Sequence, residues 1–279
     1  MYRIDNRTPW RVIIYKIILM VFFSIFVTQA FYRGMVIKKY EIHSEKIDSD
    51  TRILVISDLH SCEFGKGQGN LMQEIREIDP DLIFLPGDIV DDYLPQGPAE
   101  TLLKQIGNEY RCYYVTGNHE LWTHRSDEIK DMIRGYGVTV LEGEHDTISV
   151  NGDILNICGI DDPYSKAENV QLREAFKELD NSRYTILLAH RPERDFKYDA
   201  YPCDLVVTGH AHGGQWRLPG IIEGVYAPNQ GFFPKYAGGR FDFEDHVMII
   251  SRGLALNYTT PRIFNPPELT LIVLKSKTQ

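Results

Sequence analysis

Five short apolar runs in this chain each break off at residues that bind metals, and this repetition restricts the fold more than any other feature. Ile53-Leu54-Val55-Ile56-Ser57 leads into Asp58-Leu59-His60, and Leu82-Ile83-Phe84-Leu85-Pro86 into Gly87-Asp88. Cys112-Tyr113-Tyr114-Val115-Thr116 leads into Gly117-Asn118-His119-Glu120. Tyr184-Thr185-Ile186-Leu187-Leu188-Ala189 ends at His190, and Leu205-Val206-Val207-Thr208 at Gly209-His210-Ala211-His212-Gly213-Gly214-Gln215. Short continuous runs rich in β-branched residues and bounded by glycine and polar residues read as buried strands. Ligands of open α/β sheets sit beyond the carboxyl ends of the strands. Here those ends carry two Asp, one Asn and five of the nine His, a concentration that chance placement explains poorly.

Helix-like stretches fill the gaps. Leu71–Ile78 is apolar at 71, 72, 75 and 78, and Glu168–Leu179 at 170, 172, 175, 176 and 179. Ala99–Ile106 and Asp127–Ile133 occupy two further gaps. Alternating strand and helix predicts a layered α/β sandwich. Around Val138–Gly159 and Val247–Leu274 strand follows strand, so the sheets are expected to be mixed.

The residue types at the strand ends have a common chemistry. Neutral imidazole together with carboxylate suits divalent transition metals such as Mn, Fe, Co, Ni or Zn. Two such ions roughly 3.5–4 Å apart clamp both the attacking and the leaving oxygen of an in-line displacement. A short carboxylate is a good bridge between them, and an Asn oxygen completes a shell without adding charge. No cysteine lies in any of the five clusters, which argues against a structural zinc site.

The ordered set Asp-x-His, Gly-Asp, Gly-Asn-His-Glu, a lone His and Gly-His-x-His resembles the calcineurin-like metallophosphoesterases. The extended Gly-His-Ala-His-Gly-Gly-Gln is similar to the membrane-associated phosphodiesterase branch of that superfamily. So are Ser251-Arg252-Gly253-Leu254 and Pro261-Arg262-Ile263-Phe264-Asn265-Pro266-Pro267-Glu268. The resemblance spans about residues 50–270 and implies a four-layer αββα sandwich with mixed sheets and the site at one rim.

Carried over position by position, it implies that Asp58, His60 and His212 hold one metal and Asn118, His190 and His210 a second, with Asp88 bridging. A metal-bridging hydroxide is then the expected nucleophile. His119 is implied to face the substrate, protonating the leaving oxygen or stabilising transition-state charge, with Glu120 a candidate to orient it. One position departs from a related branch: purple acid phosphatases carry Tyr three residues after the bridging Asp, and this chain has Asp91. Mn(II) or Fe(II) pairs are therefore favoured over an Fe(III)–tyrosinate centre, with Zn, Co and Ni within reach of the same donors.

Other residues read more plainly. His43, His124, His145 and His246 are expected to be surface or core side chains, and Asp91 and Asp92 solvated loop acids. Gly213 and Gly214 fit either a close backbone approach to the metals or a simple turn. Arg252 and Asn257 fit a phosphate contact and equally a structural salt bridge or turn.

The start of the chain carries a second signal. Between Val12 and Tyr32 only Lys16 is charged, and roughly 20 apolar residues span a bilayer as a helix. Lys16 can snorkel to the interface. Residues 1–35 are expected to be an uncleaved single-pass anchor in the cell membrane, spanning about 12–32, followed by a linker at 36–49 and the catalytic domain at 50–279. A short basic N-terminus before a large domain favours an extracytoplasmic catalytic domain.

The charge is divided accordingly. Residues 1–40 hold seven Lys/Arg against one Asp, a net of +6, and the remainder 23 Lys/Arg against 38 Asp/Glu, a net of −15. Basic flanks suit anionic headgroups, whereas an acidic domain argues against a nucleic-acid polymer as partner. The four cysteines (62, 112, 158, 203) show no metal or redox spacing, and Cys112 and Cys158 are expected to be buried thiols.

The expected activity is thus a binuclear-metal-dependent phosphodiesterase acting near a membrane on phosphoesters, lipid-linked ones included. The alternatives are a pyrophosphohydrolase of nucleotide-linked lipids and a catalytically silent scaffold. The aromatic, glycine-rich stretch Trp216–Phe243 fits either a substrate wall or core.

Overall fold

The computed structural model describes residues 10–256 and 260–277. Its elements in chain order are α1 (Trp10–Ala30), β1 (Val36–Ser44), β2 (Thr51–Val55), α2 (Gly69–Ile78), β3 (Leu82–Pro86), α3 (Gly97–Glu109) and β4 (Arg111–Val115). Next come α4 (Asn118–Trp122), α5 (Ser126–Gly135), β5 (Thr139–Val140), β6 (His145–Val150), β7 (Asp153–Gly159), α6 (Glu168–Ala175) and β8 (Tyr184–Leu188). The remainder are α7 (Asp195–Tyr198), β9 (Leu205–Thr208), β10 (Tyr226–Ala227), β11 (Gly231–Phe232), β12 (Gly239–Asp242), β13 (Val247–Ile250) and β14 (Glu268–Ser276).

Two six-stranded mixed sheets result, in the orders β1-β14-β2-β3-β4-β5 and β12-β13-β9-β8-β7-β6. Strand periodicity sorts the apolar side chains into layers. Ile53, Val55, Leu82 and Phe84 face inward to meet Leu155, Ile186, Leu188 and Val207 of the second sheet. Leu54, Ile83 and Leu85 face outward onto Leu71 and Ile75 of α2, Leu102 of α3 and Ile133 of α5. On the far side, Leu187 and Val206 of the second sheet pack under Leu172 and Ala175 of α6 and Tyr198 of α7. This is the αββα sandwich expected from the sequence. The four cysteines are free thiols, and Cys112 and Cys158 are buried.

Two boundaries differ from expectation. The 36–49 stretch is not a linker throughout: Val36–Ser44 forms β1, paired in parallel with β14 from Val36↔Glu268 to Ser44↔Ser276. It reads as polar because it is an edge strand, where charges such as Lys38, Lys39 and Glu41 are tolerated and deter edge-to-edge pairing. α6 ends at Ala175 rather than Leu179, although Phe176 and Leu179 still pack on the same core. α1 is long and apolar enough to cross a membrane, with a mean hydropathy of 2.2.

The topology gathers the strand ends. β2, β3 and β4 are adjacent and parallel, as are β8 and β9 in the other sheet. All five run out at one rim, where Asp58 N donates to Gly87 O (3.1 Å) and His210 N to Asp58 Oδ1 (3.0 Å), stitching the sheets together.

Candidate metal centre

The turns that present the donors are backbone-strained. Asp58, His60, Asp88, His210 and His212 all have positive φ, between 47° and 66°, a region disfavoured for residues with a Cβ. Such conformations persist only where the surroundings enforce them. Glycines make room for this: a Cβ on Gly117 would fall on Asp88 Oδ1, and one on Gly209 on the Ser57 hydroxyl and the Asp58 carboxylate.

Two groups of donors share one carboxylate. Asp58, His60 and His212 converge on one side, with His212 Nε2 3.7 Å from Asp58 Oδ1. Asp88, His190 and His210 converge on the other. There His190 Nε2 lies 3.1 Å from Asp88 Oδ2, 3.2 Å from Asn118 Oδ1 and 3.0 Å from His210 Nδ1. Asp88 Oδ2 is also 3.6 Å from His60 Nε2, and these last two atoms are buried without hydrogen-bond partners among the described residues. Buried polar atoms without partners are costly, and oxygen and imidazole nitrogen facing one another in this way form a donor set that suits divalent cations.

The electrostatics show the same demand for positive charge. Burial alone would depress His190, yet Asp88 and Asp58 outweigh it and push its pKa up to about 10. Burial would likewise lower His60, but Asp91 and Asp88 raise it. Burial, joined by repulsion from His190, drives His210 down to about 3.

Around these donors stands a ring of supports. His190 Nδ1 donates to Pro86 O (2.8 Å), which turns Nε2 toward Asp88 and Asn118. His60 Nδ1 is held by Asp91 Oδ2 at 2.9 Å, and His119 Nδ1 by Asp92 Oδ1 at 2.6 Å. Asp91 and Asp92 are therefore not solvated loop acids but orient two site imidazoles. The spacing of Asp91 three residues after Asp88 was the available signal for the first; nothing local marks the second. His119 sits at the mouth, its ring 4.2 Å from that of His60 and 4.7 Å from Trp122.

Glu120 has no role toward His119. It is buried, and its carboxylate accepts four backbone N–H groups: Asp88 (3.0 Å) and Gly117 (2.8 Å) at Oε2, Ile89 (2.7 Å) and Val90 (2.9 Å) at Oε1. Burial and Asp88 raise its pKa to about 7, against the Val90 and Gly117 amides and the charge of His190. Because every one of these contacts is a donor, we take the carboxylate as ionised. It ties the loop after β3 to the start of α4.

Residues further out divide likewise. Arg252 makes a salt bridge to Glu268 at 2.5 Å rather than facing the site, and Asn257 lies outside the described residues. Gly213 and Gly214 pack against Asn265 and Gly224. Trp216, Tyr226, Phe232 and Phe233 are exposed, whereas Tyr236, Phe241 and Phe243 belong to the core under the second sheet. Two residues not anticipated are Asn229, whose Oδ1 is 2.8 Å from His210 Nε2, and Arg262. Arg262 is 8% exposed; its Nε donates to Ala255 O at 2.8 Å, and Nη1 and Nη2 are buried without partners among the described residues. Ala255 N in turn donates to Asp58 O at 2.7 Å.

Comparison with known proteins agrees with this arrangement. The family profile of the calcineurin-like phosphoesterases matches residues 51–214. A metallophosphoesterase of Aquifex aeolicus is 28% identical over 257 residues, covering 86% of this chain and 92% of that protein. The metallophosphoesterase YkuE of Bacillus subtilis is 27% identical, covering 81% of this chain and 79% of its own length. A Danio rerio protein named as a transmembrane protein with metallophosphoesterase domain is 25% identical over 84% of this chain and 56% of its own. With more than half its length matched by the family profile and Asp and His residues that could hold metal gathered at one rim, the chain belongs to the calcineurin-like phosphoesterases and is a metal-dependent phosphoester hydrolase.

Proposed function

We propose that the chain is a two-metal phosphodiesterase working at a membrane surface, with lipid-linked phosphate as its substrate class. The position of Asp88 is the observation that carries this reading: one oxygen without a hydrogen-bond partner faces both donor groups. Asp58, His60 and His212 would hold one ion and Asn118, His190 and His210 the other, with Asp88 placed to serve both. Two divalent ions, Mn or Fe before Zn, Co or Ni, supply Lewis-acid polarisation of a phosphoryl oxygen when bound there.

The chain's own residues do the rest. Asp92 accepts from His119 Nδ1–H and leaves Nε2 for the substrate, where the ring in its imidazolium form gives the Nε2 proton to the departing oxygen. A positioned acid of this kind contributes ~10²–10⁴-fold. Arg262, buried beside the Asp58 turn, adds positive charge to the Asp58 and His212 side of the site. α1 anchors the enzyme, and the naming of the Danio rerio relative as a transmembrane protein supports this. The basic residues before the span favour an extracytoplasmic hydrolase domain.

The test is hydrolysis of matched chromogenic phosphodiester and phosphomonoester substrates by the detergent-solubilised full chain, metal-stripped and with Mn(II) restored. Mn-dependent diester cleavage, lost in His119→Ala and Asp88→Asn, is expected. Preference for the monoester would make it a phosphatase. A folded protein silent with every metal would leave a scaffold.

A further inference from the structure

The segment 216–233 is an apolar surface on an acidic domain. Ile221, Phe232 and Phe233 are 77%, 75% and 70% exposed, and Trp216 and Tyr226 nearly half. Between Trp216 and Tyr236 the chain has Arg217 and Lys235 against Glu223 alone, whereas residues 41–279 together carry a net −15. A surface that sheds its charge and gathers aromatics is suited to contact with something apolar.

What it contacts follows from its attachments. Trp216 bridges Ile263 in parallel register, Trp216 Nε1 donates to Pro261 O (2.9 Å), and Arg217 N to Ile263 O (2.9 Å). The next residue, Phe264, donates its N–H to Ala30 O at the end of α1 (2.8 Å), and its ring meets Phe26 edge-on at 5.0 Å. The loop is closed on itself by Val225 N to Trp216 O (2.9 Å) and Phe233 N to Val225 O (2.8 Å). One hydrogen-bonded path therefore runs from the end of α1 through Phe264 to the exposed aromatics. The same loop reaches inward, since Asn229, between β10 and β11, touches His210.

We propose that Trp216, Ile221, Tyr226, Phe232 and Phe233 form a platform that lies in the bilayer interface beside the exit of α1, setting the mouth of the metal site at headgroup level. The proposal rests on α1 being a membrane span and deepens that reading. Trp and Tyr favour this depth, with the ring in the acyl boundary and the polar atom in the headgroups. A phosphate held by a lipid would then meet the site without the lipid leaving its leaflet, the geometry an interfacial hydrolase requires.

The experiment uses the full chain reconstituted in phosphatidylcholine vesicles, with and without brominated acyl chains, comparing the parent with Phe232→Trp and, separately, Phe233→Trp. Both positions are exposed, so either tryptophan is accommodated. The emission added by each new tryptophan is expected to be lost in brominated vesicles and kept in plain ones. Co-flotation with vesicles but equal added emission in both would overturn the platform while leaving the anchor intact. Failure to float with vesicles would overturn the anchor, and the platform with it.

Discussion

Asp92 Oδ1 lies 2.6 Å from His119 Nδ1, so an imidazole at the mouth of the site has its Nδ1 proton held by an acid from a neighbouring loop. An ionised carboxylate accepts only from N–H, which keeps a proton on Nδ1 and leaves Nε2, with its own proton in the imidazolium form, as the nitrogen that serves the departing oxygen. Asp92→Asn replaces that constraint with an amide that can also donate. The expected result is a loss of roughly 10–100-fold in kcat, with KM and bound metal little altered. Steady-state kinetics beside metal analysis decides it, and an unchanged kcat would remove Asp92 from the mechanism.

The companion pair, Asp91 with His60, acts on a different quantity. His60 Nε2 belongs to a donor group, so losing the carboxylate at Nδ1 weakens its orientation and basicity. Asp91→Asn is expected to lower metal affinity by roughly 10–100-fold and to regain activity at saturating Mn(II). Activity titrated against free metal reads this directly, and a midpoint equal to that of the parent would sink it.

Glu120→Gln tests stability rather than chemistry. Each carboxylate oxygen accepts two backbone N–H groups, so an amide nitrogen at either position orphans two of them. A buried donor left unpaired costs roughly 1–3 kcal/mol. Denaturant unfolding should show a loss of at least that size, and an unchanged midpoint would mean the loops relax around the amide.

Away from the site, Glu168 is gripped by Arg194 Nη2 (2.6 Å) and Lys197 Nζ (2.5 Å). Burial pulls its pKa up, but the two cations outweigh this and lower it overall. A depressed folded-state pKa means the unfolded chain binds the extra proton first. The stabilisation is therefore present above the unfolded value, near 4.3 for Glu, and fades as pH falls through the folded value. Glu168→Gln should flatten the loss of melting temperature in that acid range, and a slope equal to the parent's would show that other carboxylates govern it.

Much of the site could be read from the sequence because the donors are consecutive with the strands that carry them. An apolar run fixes the strand, and the residue after it is placed at the rim by the chain itself. The supports were hidden for the opposite reason. Asp92 and Asn229 reach His119 and His210 across the fold, and in sequence an acid in a loop looks the same whether it faces water or an imidazole. Glu120 sits beside His119 in sequence, yet α4 turns it inward onto backbone amides. β1 was obscured by its place at the sheet edge, where exposure of most side chains erases the alternation of buried and exposed positions. The left-handed turns at Asp58 and His60 have no adjacent glycine to announce them.

The parallel pairing of β1 with β14 has a consequence for how the chain is made. Val36 cannot find Glu268 until 232 further residues have been synthesised, which at about 5–20 residues per second takes roughly 10–50 s. During that interval the apolar helix before β1 is already outside the ribosome and available for insertion. On the proposed reading of α1 as an anchor, the order of synthesis delivers it to the membrane first and leaves the sheet that joins it to the hydrolase to be completed afterwards, with the bilayer already fixing one end.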